Sequence, residues 1–482
     1  MASNHTNEDK AMLPLIINNE SVVTDNVVEV HNPATGELLH RCAGASVDDA
    51  NRAVAAAKAA FPIWSKTHPY ERRAILSKAA DIMLSRKEEF IKTQMEETGA
   101  GRMFVEVTFM ASVSFLRDFA GMIPTVEGKA PIVAEEGQSA LVIKQPYGVV
   151  LGIAPWNAPF ILGTRSVALP LAAGNTTILK GSELSPKCFW LIGDVLREAG
   201  LPAGCLNVIY HKTSDAPAVT NALIAHPDVR KISFTGSTLV GSIIASTAGK
   251  YIKPVLLELG GKASAIVLDD ADLEKAAMGC TLGAFLNSGQ ICMSTERIVV
   301  QRPVAEKFQK LLVETSEKIF GKNAPAPVLV AAAAVKKNQG LVSDAIGKGA
   351  TVVFGDPRES EPCANALRPV IVGGVTKEMD LYATESFGPT VSLIVVDSEE
   401  EAIKVANDTE YGLTSAVFTS NLFRGLRVAK QIESGAVHIN SMTVHDEPTL
   451  PHGGWKSSGF GRFGGTAGYD EWLQTKTITW VE

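Results

Sequence analysis

From Gly148 onward the chain alternates short apolar, β-branched runs with longer segments of helical periodicity, and this alternation restricts the fold more than any other feature. Strand-length runs separated by helices are typical of a parallel sheet with helices on both faces. The predicted strands of this first unit cover residues 149–154, 176–179, 206–210 and 231–234, and its predicted helices cover residues 186–199, 216–225 and 238–248. Upstream, Ser46 and Asp49 predict a capping box that opens a helix.

The same alternation resumes after Glu258 and predicts a second α/β unit. Its predicted strands cover residues 263–268, 298–300, 351–354, 391–396, 416–419 and 436–439, and its predicted helices cover 273–287, 305–320, 335–348, 399–407 and 422–432. A chain of 482 residues is too long for one hydrophobic core, so we expect two or three domains. Ligand sites often form where two domains join and beyond the carboxyl ends of parallel strands. Since Glu258 lies at or near the join of the two predicted units, we expect the functional site there.

Composition argues against several classes of function. Hydrophobic residues make up 46% and charged residues 20% of the chain, as in an ordinary globular protein. A net charge of -7 and the lack of any basic run give no reason to expect a nucleic-acid partner. No apolar stretch approaches the roughly 18–20 residues that span a bilayer.

The cysteines and the N-terminal segment bear on the compartment. Six cysteines occur without C-x-x-C spacing, which indicates neither a disulfide framework nor a metal site, and reduced thiols fit the cytosol. Residues 1–10 are polar and acidic and lack the apolar core of a signal peptide. We therefore expect a cytoplasmic protein.

Cys292 is the candidate nucleophile. It follows the polar, glycine-containing stretch NSGQ at residues 287–290, which is typical of a loop rather than of a core strand. A cysteine taken alone is more often a small buried hydrophobic residue, and we assign that role to the other five. A thiol is an effective nucleophile near neutral pH once its pKa falls, and backbone amides or a helix end can lower it.

Glu258 is the candidate general base. It lies between two leucines at the end of an apolar run and is followed by the glycine turn Gly260-Gly261. The side chain either points into solvent or is buried, and burial would raise its pKa toward the range of a general base. A thiol and a carboxylate on neighbouring elements are the groups needed to form a thioester and hydrolyse it.

Three further motifs lie at predicted strand ends, where the chain either binds a ligand or simply turns. Residues 236–241 (GSTLVG) open a helix, which suits a phosphate group, but they match neither a P-loop nor the usual dinucleotide fingerprint. Asn157 lies between two prolines, a rigid position for an oxyanion donor. Lys180 and Glu183 close the next strand, where both side chains can reach a nucleotide ribose.

Taken in order, these segments resemble the NAD(P)-dependent aldehyde dehydrogenase superfamily over nearly the whole chain. The matching segments include HNPATG at 31–36, ESFGP at 385–389 and GFGR at 459–462, with 34 positions between Glu258 and Cys292. Segments 154–159, 256–262 and 289–297 are most similar to the salicylaldehyde and vanillin dehydrogenases, which act on aromatic aldehydes.

The resemblance implies an α/β fold of three parts. These are a Rossmann-type NAD-binding domain (residues 1–123 and 147–258), an α/β catalytic domain (259–450) and a small β oligomerisation extension (124–146 and 465–482). We expect a hairpin-like excursion within residues 118–144 and an edge strand at 478–481. In the family such pieces join neighbouring subunits, which implies a homodimer or a homotetramer.

The resemblance also implies a reaction. Cys292 would attack the aldehyde carbonyl to give a thiohemiacetal, and the amide of Asn157 with the backbone N–H of Cys292 would hold the oxyanion. Transfer of hydride to the nicotinamide would leave a thioester. Water activated by Glu258 would then release the carboxylic acid.

The implied cofactor is NAD in preference to NADP, because the carboxylate of Glu183 accepts bonds from ribose hydroxyls and repels a 2′-phosphate. Lys180 matches a second ribose contact and Ser237 matches the pyrophosphate contact. Glu385 matches the contact to the nicotinamide ribose, with Phe387 near the ring. The other cofactor candidates are Ile153, Pro155, Trp156, Gly236, Gly241 and Leu259. No metal is implied.

The candidates for the substrate tunnel are Phe160, Arg165, Ile291, Met293 and Phe463. The chain departs from many relatives at three places. Phe463 follows Arg462 where they carry Glu, which suits an aromatic substrate but removes an acid proposed to assist proton relay. His452 stands where they carry Phe, and residues 322–335 are shortened.

Three alternatives remain at this level. The same mechanism could serve aliphatic aldehydes. A CoA-acylating dehydrogenase is disfavoured because such relatives generally lack the glutamate matched by Glu258. A non-catalytic NAD-binding scaffold is disfavoured because Cys292, Glu258, Asn157 and Glu385 are all present.

Overall fold

The computed structural model describes residues 12–358, 361 and 363–481, so the segment 1–10 lies outside the described residues. Within this part the chain forms two large sheets. The first sheet contains, in spatial order, Gly459–Phe460, Val255–Glu258, Val229–Thr235, Val149–Ile153, Thr176–Lys180, Leu206–Ile209, Leu15–Ile17 and Glu20–Val22. The second contains Thr351–Phe354, Val370–Gly373, Thr390–Val396, Thr295–Gln301, Ala263–Val267, Thr414–Phe418 and Ala436–Ile439. The inner strands of both sheets are parallel.

Helices cover these sheets. Those of the first half are Val47–Trp64, Pro69–Ser85, Lys87–Thr98, Arg102–Met122, Pro159–Ala172, Pro186–Glu198, Ala216–Ala225 and Thr238–Lys250. Those that follow are Leu273–Phe285, Arg302–Phe320, Ala332–Gly347, Asp380–Ala383, Glu399–Asn407, Leu422–Ala429 and Gly465–Asp470. Because helices lie over both faces, the strands Val149–Ile153 and Thr295–Gln301 are buried at every position. The predicted α/β class is confirmed.

Two smaller pairs complete the described structure. Val27–His31 pairs with Leu38–Ala43, and Gln138–Pro146 pairs with Leu473–Val481, both antiparallel. The strand predicted at 478–481 is therefore confirmed and is longer than expected. The predicted hairpin-like excursion within 118–144 is confirmed in part, because Lys129 and Val142 form an antiparallel bridge with backbone hydrogen bonds of 2.9 Å and 2.8 Å. The helix Arg102–Met122 also continues into this segment, and Gln138–Pro146 takes the C-terminal strand as its main partner.

Local signals had mixed outcomes. The capping box of Ser46 and Asp49 forms, with each residue bonding the backbone of the other. The helix predicted over 273–287 ends at Phe285, because Asn287 and Ser288 adopt left-handed backbone conformations with φ of 49° and 58°. In the described part of the chain, no helix is long and apolar enough to cross a membrane.

Candidate active site

Glu258 ends an inner strand of the first sheet. The strand Val255–Glu258 runs parallel to Val229–Thr235, and the chain then turns through Gly260 and Gly261. A Cβ atom on Gly261 would lie 2.3 Å from the carbonyl oxygen of Cys292. Only glycine therefore allows this turn to approach the cysteine loop.

The loop that carries Cys292 reverses direction tightly after the helix Leu273–Phe285. Gly289 has a φ of +71°, and a Cβ there would lie 2.1 Å from the carbonyl oxygen of Gly388. The loop ends with the Cys292 Sγ 2.9 Å from Oε1 of Glu258, to which the thiol donates a hydrogen bond. The predicted nucleophile and the predicted base are thus in contact.

Two cavities meet at this contact. One has a volume of about 240 Å³ and reaches the helix Arg102–Met122. The other has a volume of about 270 Å³ and reaches the start of the helix Thr238–Lys250. Four residues line both cavities, namely Asn157, Leu162, Glu258 and Cys292. A molecule in either cavity therefore reaches the thiol.

The carboxylate of Glu258 is fully buried and paired. Arg165 donates to its Oε2 and also, at 3.0 Å, to Asp446, while His452 Nε2 lies 3.8 Å from Oε1. Burial raises the pKa of Glu258, but Arg165, His452 and the hydrogen bond from Cys292 together outweigh it and hold the pKa below its ordinary value. The expectation of a raised pKa was wrong because no sequence signal placed Arg165 beside Glu258.

The thiol of Cys292 has the opposite shift. Burial raises its pKa, the negative charge of Glu258 raises it further, and Arg165 only partly opposes them, so the pKa lies well above its ordinary value. The expected lowering by backbone amides and a helix end is not found. In this resting state the thiol is protonated and the carboxylate is charged.

Asn157 is fixed against the cysteine loop from both sides. Its Nδ2 donates to the carbonyl oxygen of Gln290 at 2.9 Å, and Asn287 Nδ2 donates to its backbone oxygen at 3.2 Å. An NH₂ group has two donors, and the second remains for an oxyanion formed at the Cys292 thiol. The structure therefore brings together all three predicted catalytic residues.

Most of the predicted cofactor residues line the second cavity. These are Pro155, Trp156, Gly236, Ser237, Leu259, Glu385 and Phe387. Trp156 and Phe387 meet edge to face, with ring centroids 6.0 Å apart. Glu385 accepts a hydrogen bond from the backbone of Gly261 at 2.8 Å, and burial raises its pKa to about 7.

The remaining predicted cofactor residues lie outside that lining. Lys180 ends its strand, and burial lowers its pKa. Glu183 accepts a hydrogen bond from Thr213 Oγ1 at 2.9 Å. Ile153 is buried at a strand end. A Cβ on Gly241 would lie 2.4 Å from the side chain of Leu259, so this glycine lets the helix pack closely.

The substrate-side predictions fall into two groups, one that lines the first cavity and one that does not. Arg165, Ile291 and Met293 line the first cavity. Phe160 lies on another face of the helix Pro159–Ala172 and packs on Phe90, with ring centroids 4.7 Å apart. Phe463 lies beneath the Arg165 guanidinium, 4.0 Å from Cζ to the ring centroid. Neither phenylalanine lines the cavity, which differs from our expectation.

Sequence reasoning missed several residues of this cavity. Asp446 holds Arg165 but is 281 positions away from it, and no local pattern marks it. His452 was noted only as a departure from relatives, although that departure was a usable signal. Phe104, Val107, Thr108 and Ala111 line the cavity from a helix that was not predicted.

Comparison with known proteins defines the family. The profile of the aldehyde dehydrogenase family matches residues 20–478. A vanillin dehydrogenase from Pseudomonas fluorescens is 44% identical over 474 residues, which cover 97% of each chain. The crystal structure of a salicylaldehyde dehydrogenase from Pseudomonas putida G7, complexed with salicylaldehyde, has a TM-score of 0.94 at 39% identity and covers 98% of both chains. The chain belongs to the aldehyde dehydrogenase family.

Solved relatives differ in the cofactor that they are named for. An NADP-dependent enzyme from E. coli has a TM-score of 0.94 at 33% identity and covers 98% of both chains. Betaine aldehyde dehydrogenase from Staphylococcus aureus, solved in complex with NAD+, has a TM-score of 0.92 at 28% identity, covering 97% of this chain and 94% of that one. The predicted fold and the predicted enzyme class are confirmed.

Proposed function

We propose that this aldehyde dehydrogenase oxidises aromatic aldehydes to carboxylic acids with NAD. The observation that carries the proposal is the junction of two cavities at a half-buried thiol that is hydrogen-bonded to a buried carboxylate, Cys292 Sγ to Glu258 Oε1 at 2.9 Å. One cavity is suited to an aldehyde and the other to a nicotinamide. The names of the vanillin and salicylaldehyde relatives support the aromatic substrate.

The first step is activation of the thiol. Cys292 transfers its proton to Glu258 Oε1, and the thiolate attacks the aldehyde carbon. The second N–H of the Asn157 amide and the backbone N–H of Cys292 donate to the developing oxyanion. The hydrogen bond from Asn157 to Gln290 fixes the amide before the substrate arrives, so little reorganisation is needed.

The second cavity has the properties of a nicotinamide site. Thr235 Oγ1 is buried there and has no hydrogen-bond partner among the described residues, which leaves a hydroxyl for a ligand. Glu385 presents a carboxylate suited to ribose hydroxyls, and Trp156 and Phe387 provide aromatic walls. When bound, NAD supplies the hydride acceptor that turns the thiohemiacetal into a thioester.

Hydrolysis of the thioester uses the same carboxylate. Glu258 first releases to bulk water the proton that it took from Cys292. It then takes a proton from the hydrolytic water, the water oxygen bonds the acyl carbon, and the C–S bond breaks to return Cys292 as a thiolate. Arg165 favours the release of the first proton, because it holds Oε2 and stabilises the charged carboxylate while Oε1 faces the reacting atoms.

The walls of the first cavity favour a flat apolar substrate with a polar substituent. Its apolar lining includes Phe104, Val107, Ile161, Leu286, Met442 and Val444. At one side Arg165, Asp446 and His445 present polar groups to the same space. A hydroxylated benzaldehyde would match both surfaces, whereas an unsubstituted aliphatic aldehyde would match the apolar walls alone.

We further propose that NAD is preferred over NADP. Glu183 would accept bonds from the ribose hydroxyls and repel a 2′-phosphate, with Lys180 beside it. Electrostatic repulsion of this kind is a common source of specificity. The ratio of kcat/KM with NAD to kcat/KM with NADP measures this preference.

We also propose a homodimer or homotetramer that acts in the cytoplasm. Leu239, Ile243 and Ile252 are exposed apolar side chains at the helix Thr238–Lys250, and Trp480 is exposed on the C-terminal strand. Apolar patches of this kind mark subunit contacts. All six cysteines are free, which fits a reducing compartment. Light scattering that reports a monomer at micromolar concentration would contradict the assembly.

The proposed function is tested with salicylaldehyde, benzaldehyde, vanillin and hexanal as substrates. NADH formation is followed with NAD, and NADPH formation is followed in parallel with NADP. We expect higher kcat/KM with the aromatic aldehydes and with NAD, and free carboxylic acid as the product. Preference for hexanal would contradict the aromatic substrate. Acyl-CoA formed on addition of CoA would contradict hydrolysis by water.

A further inference from the structure

His452 has no part in the steps described above, yet it lies beside the reacting groups. Its side chain is 6% exposed and lines the substrate-side cavity. Nε2 lies 3.8 Å from Glu258 Oε1 and makes no hydrogen bond to any described residue. A buried nitrogen without a partner is unusual and calls for an explanation.

The two oxygens of Glu258 have different neighbours. Oε2 accepts from Arg165, whereas Oε1 accepts from the Cys292 thiol and faces His452 Nε2. A proton taken up from the reacting side therefore arrives on the oxygen that the imidazole faces. Hydrogen bonds between catalytic groups are often long in the free enzyme and shorten when substrate binds.

The charges of the buried cluster leave room for one more proton. Arg165 carries one positive charge between the two carboxylates of Glu258 and Asp446, all three being almost fully buried. With a neutral imidazole this cluster has a net charge of -1, and an imidazolium at His452 would bring it to zero. Uncompensated buried charge is costly, and transfer of a proton from Glu258 to His452 within this cluster leaves its net charge unchanged, so the transfer creates none.

The imidazole is held in place by its backbone. His452 and Phe463 exchange two backbone hydrogen bonds, of 2.6 Å and 2.7 Å, and the Phe463 ring lies beneath Arg165. This backbone pairing therefore positions both side chains that approach the Glu258 carboxylate, His452 directly and Arg165 through the Phe463 ring. The other titratable groups around the imidazole are Asp446, Cys292 and His445, which line the same cavity, and His438, whose ring lies tilted against that of His445.

We propose that His452 relays the proton of thioester hydrolysis, an inference that rests on the proposed function. Water gives one proton to Glu258 Oε1, which passes it to Nε2 of a neutral His452. The hydroxyl oxygen bonds the acyl carbon, the C–S bond breaks, and its electron pair returns to Cys292 as a thiolate. Acid, thiolate and imidazolium are the products, and the imidazolium returns its proton to solvent or to the thiolate.

Two variants test the relay. His452→Phe keeps a ring of similar size, and His452→Gln keeps a polar group, but neither can carry the proton. We expect kcat to fall about 100-fold in both, at the lower end of the range of general acid–base catalysis. One equivalent of NADH should still form in a burst before the slow phase, because formation of the thioester does not use His452. His226→Gln, at a surface site, serves as the control.

The outcomes separate the two proposals. Thermal midpoints and NAD binding first establish that each variant is folded. Wild-type kcat in both folded variants would overturn the relay. Loss in His452→Phe with wild-type behaviour in His452→Gln would also overturn it, because packing would then explain the loss. A wild-type enzyme that oxidises no aldehyde would instead contradict the proposed function.

Discussion

Cys292 donates a hydrogen bond to Glu258 across 2.9 Å, while the other oxygen of the same carboxylate is held by Arg165. The nucleophile and its proton acceptor are therefore in contact before any substrate binds. The pKa of the thiol is raised and that of the carboxyl is lowered, so the resting pair is a neutral thiol beside a charged carboxylate. Reaction begins with a proton transfer within this pair.

The raised pKa of the Cys292 thiol predicts how its reactivity depends on pH. The rate of alkylation by iodoacetamide should increase with pH from neutral into the alkaline range, because the thiolate is the reactive form. Glu258→Gln removes a negative charge and should shift this increase to lower pH. The Cys292→Ala variant gives the background from other thiols. If the alkylation rate of Glu258→Gln increases at the same pH as in the wild type or at a higher pH, the charge of Glu258 does not raise the pKa of Cys292.

Removal of the nucleophile should separate catalysis from binding. We expect Cys292→Ala to lower NADH formation by more than about 1,000-fold, because no thiohemiacetal can form. NAD binding, followed by protein fluorescence, should change little. Cys363→Ser is the matched control, since Cys363 contacts Pro33 and lines neither cavity. Persistent turnover in Cys292→Ala would show that another group attacks the aldehyde.

The buried ion pair predicts a stability effect with a defined pH dependence. Arg165→Met should lower the free energy of unfolding by about 3–5 kcal/mol, because Glu258 and Asp446 lose their buried partner. The exposed ion pair between Arg41 and Glu29 is the control, and Arg41→Met should lower the free energy of unfolding by at most about 1 kcal/mol. Urea denaturation measures both.

The sign of the pH effect follows from the shift at Glu258. In the wild type the lowered pKa contributes stability that is fully present above the unfolded pKa of about 4.3, and that is lost as the pH falls through the folded pKa. Without Arg165, burial raises the pKa instead, so the variant is penalised while the carboxylate is charged. The loss of unfolding free energy caused by Arg165→Met should be larger at pH 8 than at pH 5. An equal loss at the two pH values would contradict the pairing of Arg165 with Glu258.

Glu183 should control the choice between the two cofactors. Glu183→Gln removes the charge that repels a 2′-phosphate and should raise kcat/KM for NADP relative to NAD by about 10-fold, equivalent to about 1.4 kcal/mol. Glu198→Gln, on a nearby helix surface, is the control for a general change of charge. An unchanged cofactor ratio would remove Glu183 from the specificity site.

Periodicity predicted the elements whose signals are local. The strand Thr351–Phe354 and the helices Ala216–Ala225 and Glu399–Asn407 have the bounds expected from the sequence. The helix before Cys292 was extended too far, since left-handed backbone at Asn287 depends on contacts with a distant turn. The partner of Gln138–Pro146 lies more than 300 residues away and could not be read from local sequence.

The site was predictable where residue type alone defined the chemistry. Cys292, Glu258 and Asn157 meet as expected, because strand ends and glycine turns place them. The protonation states were predicted wrongly, since they depend on Arg165, which a helix face turns into the cavity. Phe160 was misassigned for the same reason: its position on that helix directs it to Phe90.

The most direct test follows the acyl group itself. Glu258→Gln is mixed with salicylaldehyde and NAD at alkaline pH, where the Cys292 thiol can lose its proton to solvent, then quenched in acid after the burst of NADH and analysed by peptide mass spectrometry. The two-cavity mechanism predicts a salicyl group on the peptide that contains Cys292, in an amount equal to the burst, and none without NAD. Full NADH turnover with no mass added at Cys292 would contradict a covalent thioester at this residue.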